Sequence, residues 1–280
     1  MADCKIVFLH IPKTAGQSIH AALVDAFGAD SVCPARVNEQ LAGMSLSDLN
    51  RYRVFSGHLD WSVLEGIEGP KFVFTLLRKP LDRILSFYFF LREEGARLAP
   101  GERAKPQRQG LRAAFELDPN EYFRGGPPHL RNFIDDHFDN FYAYFFAGHA
   151  YRARSELVAR INRGELACDE VVGMAKANLL RLDGVYAFDR LAEAFQAIGA
   201  VSGNPIRDER AYRVNINEKV AQEDRMAELV ALGADAETLA RLKGFCRMDD
   251  EIWSAYAGGF GKALGAGLTP PLGASFGARR

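Results

Sequence analysis

Residues 5–27, KIVFLHIPKTAGQSIHAALVDAF, decide how the rest of the chain is read. Lys5–His10 is a short run of β-branched and aromatic residues, the composition of a buried strand. Ile19, Ala22, Leu23, Ala26 and Phe27 recur at i, i+3, i+4, i+7 and i+8, which predicts a helix with one apolar face, and Gly28 stops it. Between strand and helix, Pro12-Lys13-Thr14-Ala15-Gly16-Gln17-Ser18 places a cation, two hydroxyls and a glycine where the unpaired amides of a helix N-terminus point outward. That is anion-binding chemistry.

Working outward, 280 residues at 48% hydrophobic content are enough to bury one large core. Strand-like and helix-like segments alternate, which points to an α/β fold. The organisation expected is a single domain over 1–262 followed by a Gly/Ala/Pro-rich tail over 263–280. A formal net charge of −1 gives no whole-molecule attraction to nucleic acid or to an anionic membrane, so an anion must be held by local clusters. Cys4, Cys33, Cys168 and Cys246 are scattered and form no C-x-x-C pair, which disfavours a zinc site or a disulfide framework. No basic segment leads into a long apolar run and no span of about 18 apolar residues occurs, so no membrane insertion and a cytoplasmic location are expected.

Three further strands are expected: Arg53–Gly57 (RVFSG), Lys71–Leu77 (KFVFTLL) and Gly184–Phe188 (GVYAF). The third strand of the chain runs into Arg78-Lys79-Pro80, where proline suits the first turn of a helix, and Leu81–Leu91 follows as an apolar, buried helix. Gly95–Gly110 is basic and rich in breakers, and reads as a mobile loop able to cover a site. From Leu111 to Arg181 the pattern is helical, with an aromatic group (Phe138, Phe141, Tyr142, Tyr144, Phe145, Phe146) that reads as core. A helix over Asp189–Ile198, a polar loop over Arg207–Asn217 and further helices over Glu218–Phe260 complete the chain.

A strand, loop and helix of this kind also occur in ATP and GTP sites, but those need G-x-x-x-x-G-K-[ST]. Here Lys13-Thr14 precedes Gly16, and the strand ending at Leu77 delivers Arg78 where a magnesium-binding acid would stand. No metal is therefore expected. Arg78 sits at the carboxyl end of its strand, where α/β proteins hold ligands, and Ser86 follows two turns into the next helix. Together they suit a second phosphate group, or else Arg78 pairs with a core carboxylate and Ser86 packs in the helix.

These residues resemble a known family. HIPKTAGQSIH resembles the 5′-phosphosulfate loop, and LLRKPLDRILSFY the 3′-phosphate motif R-x-P-x-x-R-x-x-S, of sulfotransferases that use 3′-phosphoadenosine 5′-phosphosulfate (PAPS). The carbohydrate group that includes heparan sulfate 2-O- and 6-O-sulfotransferases is the nearest likeness, and it continues through SGHLDW (56–61), DNFYAYFFAG (139–148), VYAFDRLAEAF (185–195) and MDDEIWSAYAGGF (248–260). The resemblance implies a P-loop-like three-layer sandwich: a mostly parallel central sheet flanked by helices, with a helix-rich C-terminal half. It implies that Lys13, Thr14, Ala15, Gly16, Gln17 and Ser18 surround the 5′-phosphosulfate, that Arg78 and Ser86 bind the 3′-phosphate, and that Arg213, with Asn215 beside it, contacts the donor. PAPS is then the donor and 3′-phosphoadenosine 5′-phosphate (PAP) the product.

The same likeness makes His58, in SGHLDW, the catalytic base, and Lys13 the second catalytic residue. An attacking hydroxyl must lose a proton, and an imidazole with an ordinary pKa near 6.5 takes one at neutral pH. Asp60 either orients His58 or faces solvent; His10 braces the loop; His20 is disfavoured as a cation at a helix N-terminus; Arg83 pairs with an acid to hold its helix. The acceptor implied is a hydroxyl on a saccharide or glycoconjugate, which the basic stretch 97–112 would meet if it is anionic. Two other functions stand beside sulfonate transfer: a phosphotransferase using ATP and magnesium, and a non-catalytic nucleotide-binding protein.

Overall fold

The computed structural model describes residues 4–206 and 222–257. Arg213, Asn215 and the 263–280 tail lie outside the described residues. Among the described residues four strands form one sheet: β1 (Lys5–Leu9), β2 (Val54–Gly57), β3 (Lys71–Leu77) and β4 (Gly184–Ala187). Their order is β2-β1-β3-β4 and every pairing is parallel. Ile6 faces Val54 on one side and Phe72 on the other, and Leu9 faces Gly57 and Thr75, so β1 and β2 end level with each other while β3 runs two residues further, to Leu77.

The alternation of side chains along β1 explains why both sheet faces are covered. Ile6 and Phe8 join Phe72, Phe74 and Leu76 against one helix layer, that of α1 (Gly16–Phe27) and of the Leu191–Ser202 helix. Val7 and Leu9 join Phe55, Leu77, Val185 and Ala187 against the other, which contains the Phe141–Gly148, Cys168–Leu179 and Arg247–Ala257 helices. This is the α/β three-layer sandwich. The aromatic group of residues 138–146 is core, with Phe138, Tyr142 and Phe146 fully buried. A further apolar cluster packs the Pro80–Arg97 helix against the Pro119–Arg124 and Pro128–Phe138 helices.

Boundaries differ from expectation in one instructive place. The helix expected over 81–91 runs from Pro80 to Arg97, and the stretch read as a mobile loop over 95–110 is instead helical turns at Pro100–Arg103 and Pro106–Arg108 leading into a Gln109–Glu116 helix. Pro100 and Pro106 stand at first-turn positions, where a missing N–H costs nothing, so these breakers start turns rather than prevent them. The basic side chains are engaged locally: Arg97 with Glu94, Lys105 with Glu102 at 2.7 Å, and Arg103 over the Phe115 ring at 4.0 Å. All four cysteines are free thiols. Among the described residues no helix is long and apolar enough to cross a membrane.

Candidate active site

The sheet order reverses between β1 and β3, since the chain leaves β1 toward β2 on one side and returns as β3 on the other. Ligands of open α/β sheets bind in the crevice at the carboxyl ends of such a pair. Two segments emerge there: the 10–18 turn after β1 and Arg78-Lys79-Pro80 after β3.

The turn is tightly wound. Lys13 and Ala15 both hold left-handed backbone, at φ 70° and 61°, which costs a side-chain-bearing residue on the order of 1–2 kcal/mol each. Thr14 is fully buried and its hydroxyl donates to the Ile11 carbonyl at 2.8 Å. The first residue of α1 to bond back along the helix is Ile19, whose N–H reaches the Ala15 carbonyl at 3.0 Å, so the amides of Gly16 and Ser18 precede the helical ladder. Ala15 caps nothing with its side chain, and among the described residues the buried Ser18 hydroxyl has no hydrogen-bond partner. A cluster of amides at the positive end of a helix, with an orphaned hydroxyl among them, is a fit for an anionic oxygen group. Gly16 is required here, because a Cβ would stand 1.8 Å from the His10 ring. His10 thus braces the loop, as expected of it.

Arg78 faces the turn. Its Nη1 donates to the Lys13 carbonyl at 3.3 Å, and its guanidinium lies 4.4 Å from the centre of the Phe188 ring. The Tyr142 hydroxyl fixes the Arg78 backbone, accepting from its N–H at 3.1 Å and donating to its carbonyl at 2.8 Å. Arg78 also pairs with Asp82, so a carboxylate partner and a position at the site coexist. Asp82 bridges to Arg225 at 2.8 Å, bringing into the cluster a cation that sequence reasoning missed and that no motif marks. Lys13 extends over the Phe90 ring, 4.0 Å from its centre, and burial, then the nearby Arg78, lower its pKa to about 8. Ser86 is buried on the Pro80–Arg97 helix and is not hydrogen-bonded to Arg78 or to the turn.

At the end of β2, His58 lies stacked on His10, ring centres 4.3 Å apart. Gly57 lets the Arg36 backbone lie against the strand end, for a Cβ there would approach the Arg36 carbonyl to 2.5 Å, and that carbonyl accepts from the His58 N–H at 2.8 Å. Burial lowers the pKa of His58 to about 4 and holds that of His10 well below its ordinary value, so both rings are neutral at pH 7. The expectation of an ordinary value near 6.5 for His58 is corrected by this desolvation. His20 hydrogen-bonds through Nδ1 to the Ser56 hydroxyl at 2.7 Å, with its pKa also lowered to about 4 by burial and by Arg36.

Asp60 neither touches His58 nor is left to solvent. Its carboxylate accepts from the Asn38 side chain and from the Tyr151 N–H, both at 2.8 Å. Tyr151 is what reaches His58, with its hydroxyl 2.9 Å from Nδ1. Arg83 is fully buried and donates to the His137 carbonyl at 3.1 Å, with Phe141 and Tyr142 against its guanidinium, rather than forming an ion pair with an acid among the described residues.

A family model described as "Sulfotransferase family" matches residues 2–163, more than half of the 280-residue chain. The matched span holds the 10–18 turn, His58, Arg78, Ser86 and Tyr151. A search of curated proteins finds no match.

Proposed function

The chain belongs to the sulfotransferase family, and from that premise we propose that it moves the sulfonate of PAPS to a hydroxyl of a saccharide or glycoconjugate, releasing PAP. The observation that carries the donor assignment is the 3.3 Å contact of the Arg78 guanidinium with the Lys13 carbonyl: a strand-end arginine and a helix-start anion cradle share one crevice. In this reading the amides of residues 15–18 and the Ser18 hydroxyl receive the 5′-phosphosulfate. Arg78 and Ser86 receive the 3′-phosphate, and Arg213 adds a contact from outside the described residues.

The donor supplies a sulfonate group on a phosphate leaving group. The acceptor oxygen forms a bond to sulfur as the bond from sulfur to the bridging phosphate oxygen breaks. The acceptor's proton passes to Nε2 of His58, and Lys13 with the α1 amides balances charge growing on the departing oxygen. A neutral imidazole with a pKa near 4 is fully available as a base at pH 7. Lys13, with its pKa near 8, is mostly cationic there. No observation favours the ATP-dependent phosphotransferase or the non-catalytic alternative.

The test is direct. PAP should raise the melting temperature without added metal; a rise that requires ATP and magnesium instead overturns the donor assignment. His58→Ala should lose roughly 10²–10⁴ in turnover, and Lys13→Ala about 10², corresponding to ~3 kcal/mol of barrier. Turnover at the wild-type rate in His58→Ala removes His58 from the mechanism.

A further inference from the structure

We propose that Tyr151 is a positioning residue for His58, adding to the His10 carbonyl a second acceptor that holds the imidazole in the tautomer with its proton on Nδ1 and its free electron pair on Nε2; this rests on the reading of His58 as the base.

Three oxygen and nitrogen atoms meet at this point. Nδ1 of His58 lies 3.2 Å from the His10 carbonyl oxygen and 2.9 Å from the Tyr151 hydroxyl, and that hydroxyl also hydrogen-bonds the His10 carbonyl. A carbonyl oxygen can only accept, so it takes the single phenolic proton. The tyrosine oxygen is then an acceptor toward His58, and Nδ1–H donates to both oxygens. The reverse arrangement, with the phenol donating to a bare Nδ1, would set a nitrogen lone pair against the carbonyl oxygen and leave the carbonyl unpaired. When Nε2 gains the acceptor's proton, the two oxygens at Nδ1 face the positive charge with their negative ends. Burial raises the Tyr151 pKa well above its ordinary value, so the phenol stays protonated throughout and acts by orientation.

The placement of Tyr151 is tied to that of His58. Asp60, two residues after His58, holds the Tyr151 N–H at 2.8 Å and is itself held by Asn38 through paired 2.8 Å bonds. The Tyr151 ring stands edge-on to Phe141 and Phe145, with centres 5.4 and 4.9 Å away. A tyrosine serving only to pack would need no more than the carbonyl for its hydroxyl. Here the oxygen reaches a second group, and that group is the imidazole assigned to proton transfer.

Tyr151→Phe keeps the ring and removes only the oxygen. With histidine-selective ¹⁵N labelling, the variant should show His58 shifting toward the Nε2-protonated form, and turnover should fall about tenfold, the worth of one hydrogen bond, with donor KM unchanged. In a His58→Ala background the same change should have no further effect. Unchanged His58 ¹⁵N shifts, or an equal fractional loss in the His58→Ala background, overturn the proposal. His58→Ala with wild-type turnover would instead overturn the catalytic reading, while the ¹⁵N shifts would still report whether Tyr151 sets the tautomer.

Discussion

Two helices of this protein begin alike and are finished differently. α1 starts after Ala15, and the Phe141–Gly148 helix after Asn140; both preceding residues are left-handed, at φ 61° and 45°, and neither caps its helix with its own side chain. At the second helix the gap is filled from within, since the buried Asp249 carboxylate accepts from the Tyr142 and Ala143 amides at 3.1 and 2.9 Å. At α1, among the described residues, no carboxylate is hydrogen-bonded to the Gly16 or Ser18 amide, and the Ser18 hydroxyl among them has no partner. The same backbone device is a structural joint where the chain supplies the acceptor and, on the proposal made above, the donor site where it does not.

The largest expected effect breaks the closed joint. Asp249→Ala strands two buried amides, at ~1–3 kcal/mol each, and should lower unfolding stability by about 3 kcal/mol in urea titration. The stabilisation by PAP should be untouched in that variant; its loss would mean that the two helix starts are not independent. Gly16→Ala should do the converse. Its Cβ displaces the His10 ring and closes the cradle, so the stabilisation by PAP, about 2.7 kcal/mol at one hundred times Kd, should vanish. Persistence of that shift would place the nucleotide elsewhere.

Acid separates the two regions by sign. His58 and His20 have folded pKa values near 4 against about 6.5 unfolded, so between those values the unfolded chain binds more protons and stability falls as pH falls. For His58 the loss reaches up to about 3 kcal/mol. Asp249, pushed up by burial to about 7, is protonated more readily in the folded state, so its contribution weakens as pH rises from about 4 toward 7. Chemical denaturation from pH 7 to pH 4.5 should therefore show a shallower acid loss in His58→Gln than in the wild type, and a steeper one in Asp249→Asn. The same slope in all three would contradict these environments.

The smallest effect sharpens the open end. Lys13, at about 8, loses its charge in the free enzyme as pH rises through that value, so kcat/KM for the donor should decline above pH 8. Lys13→Arg should move the decline to higher pH; an unmoved decline would belong to another group.

Legibility in the sequence followed the range over which each feature is encoded. The 5–27 strand, turn and helix could be read because period-2 and period-3.6 patterns are local, and Arg78-Lys79-Pro80 because strand end and helix start adjoin. The 95–110 stretch reads as a loop because Pro and basic residues mark loops and first turns equally, whereas in the fold it packs on the following helix, with Gly95 against Leu111 and Phe115 and Arg103 over the Phe115 ring. Tyr151 lies 93 positions from His58 and Asp249 lies 107 from Tyr142, with no spacing rule to join them.

By itself the sequence determined the α/β pattern, the tight turn and helix start after β1 and the arginine after β3, since hydrophobic period, turn chemistry and helix-end polarity are properties of short segments. Only the tertiary structure decided that His58 is neutral rather than poised near 6.5, that Asp60 acts on Tyr151, and that one helix start is sealed by Asp249 while the other stays open. Those outcomes depend on desolvation and on hydrogen-bond partners brought together by the sheet's crossovers, and neither quantity exists until the chain is folded.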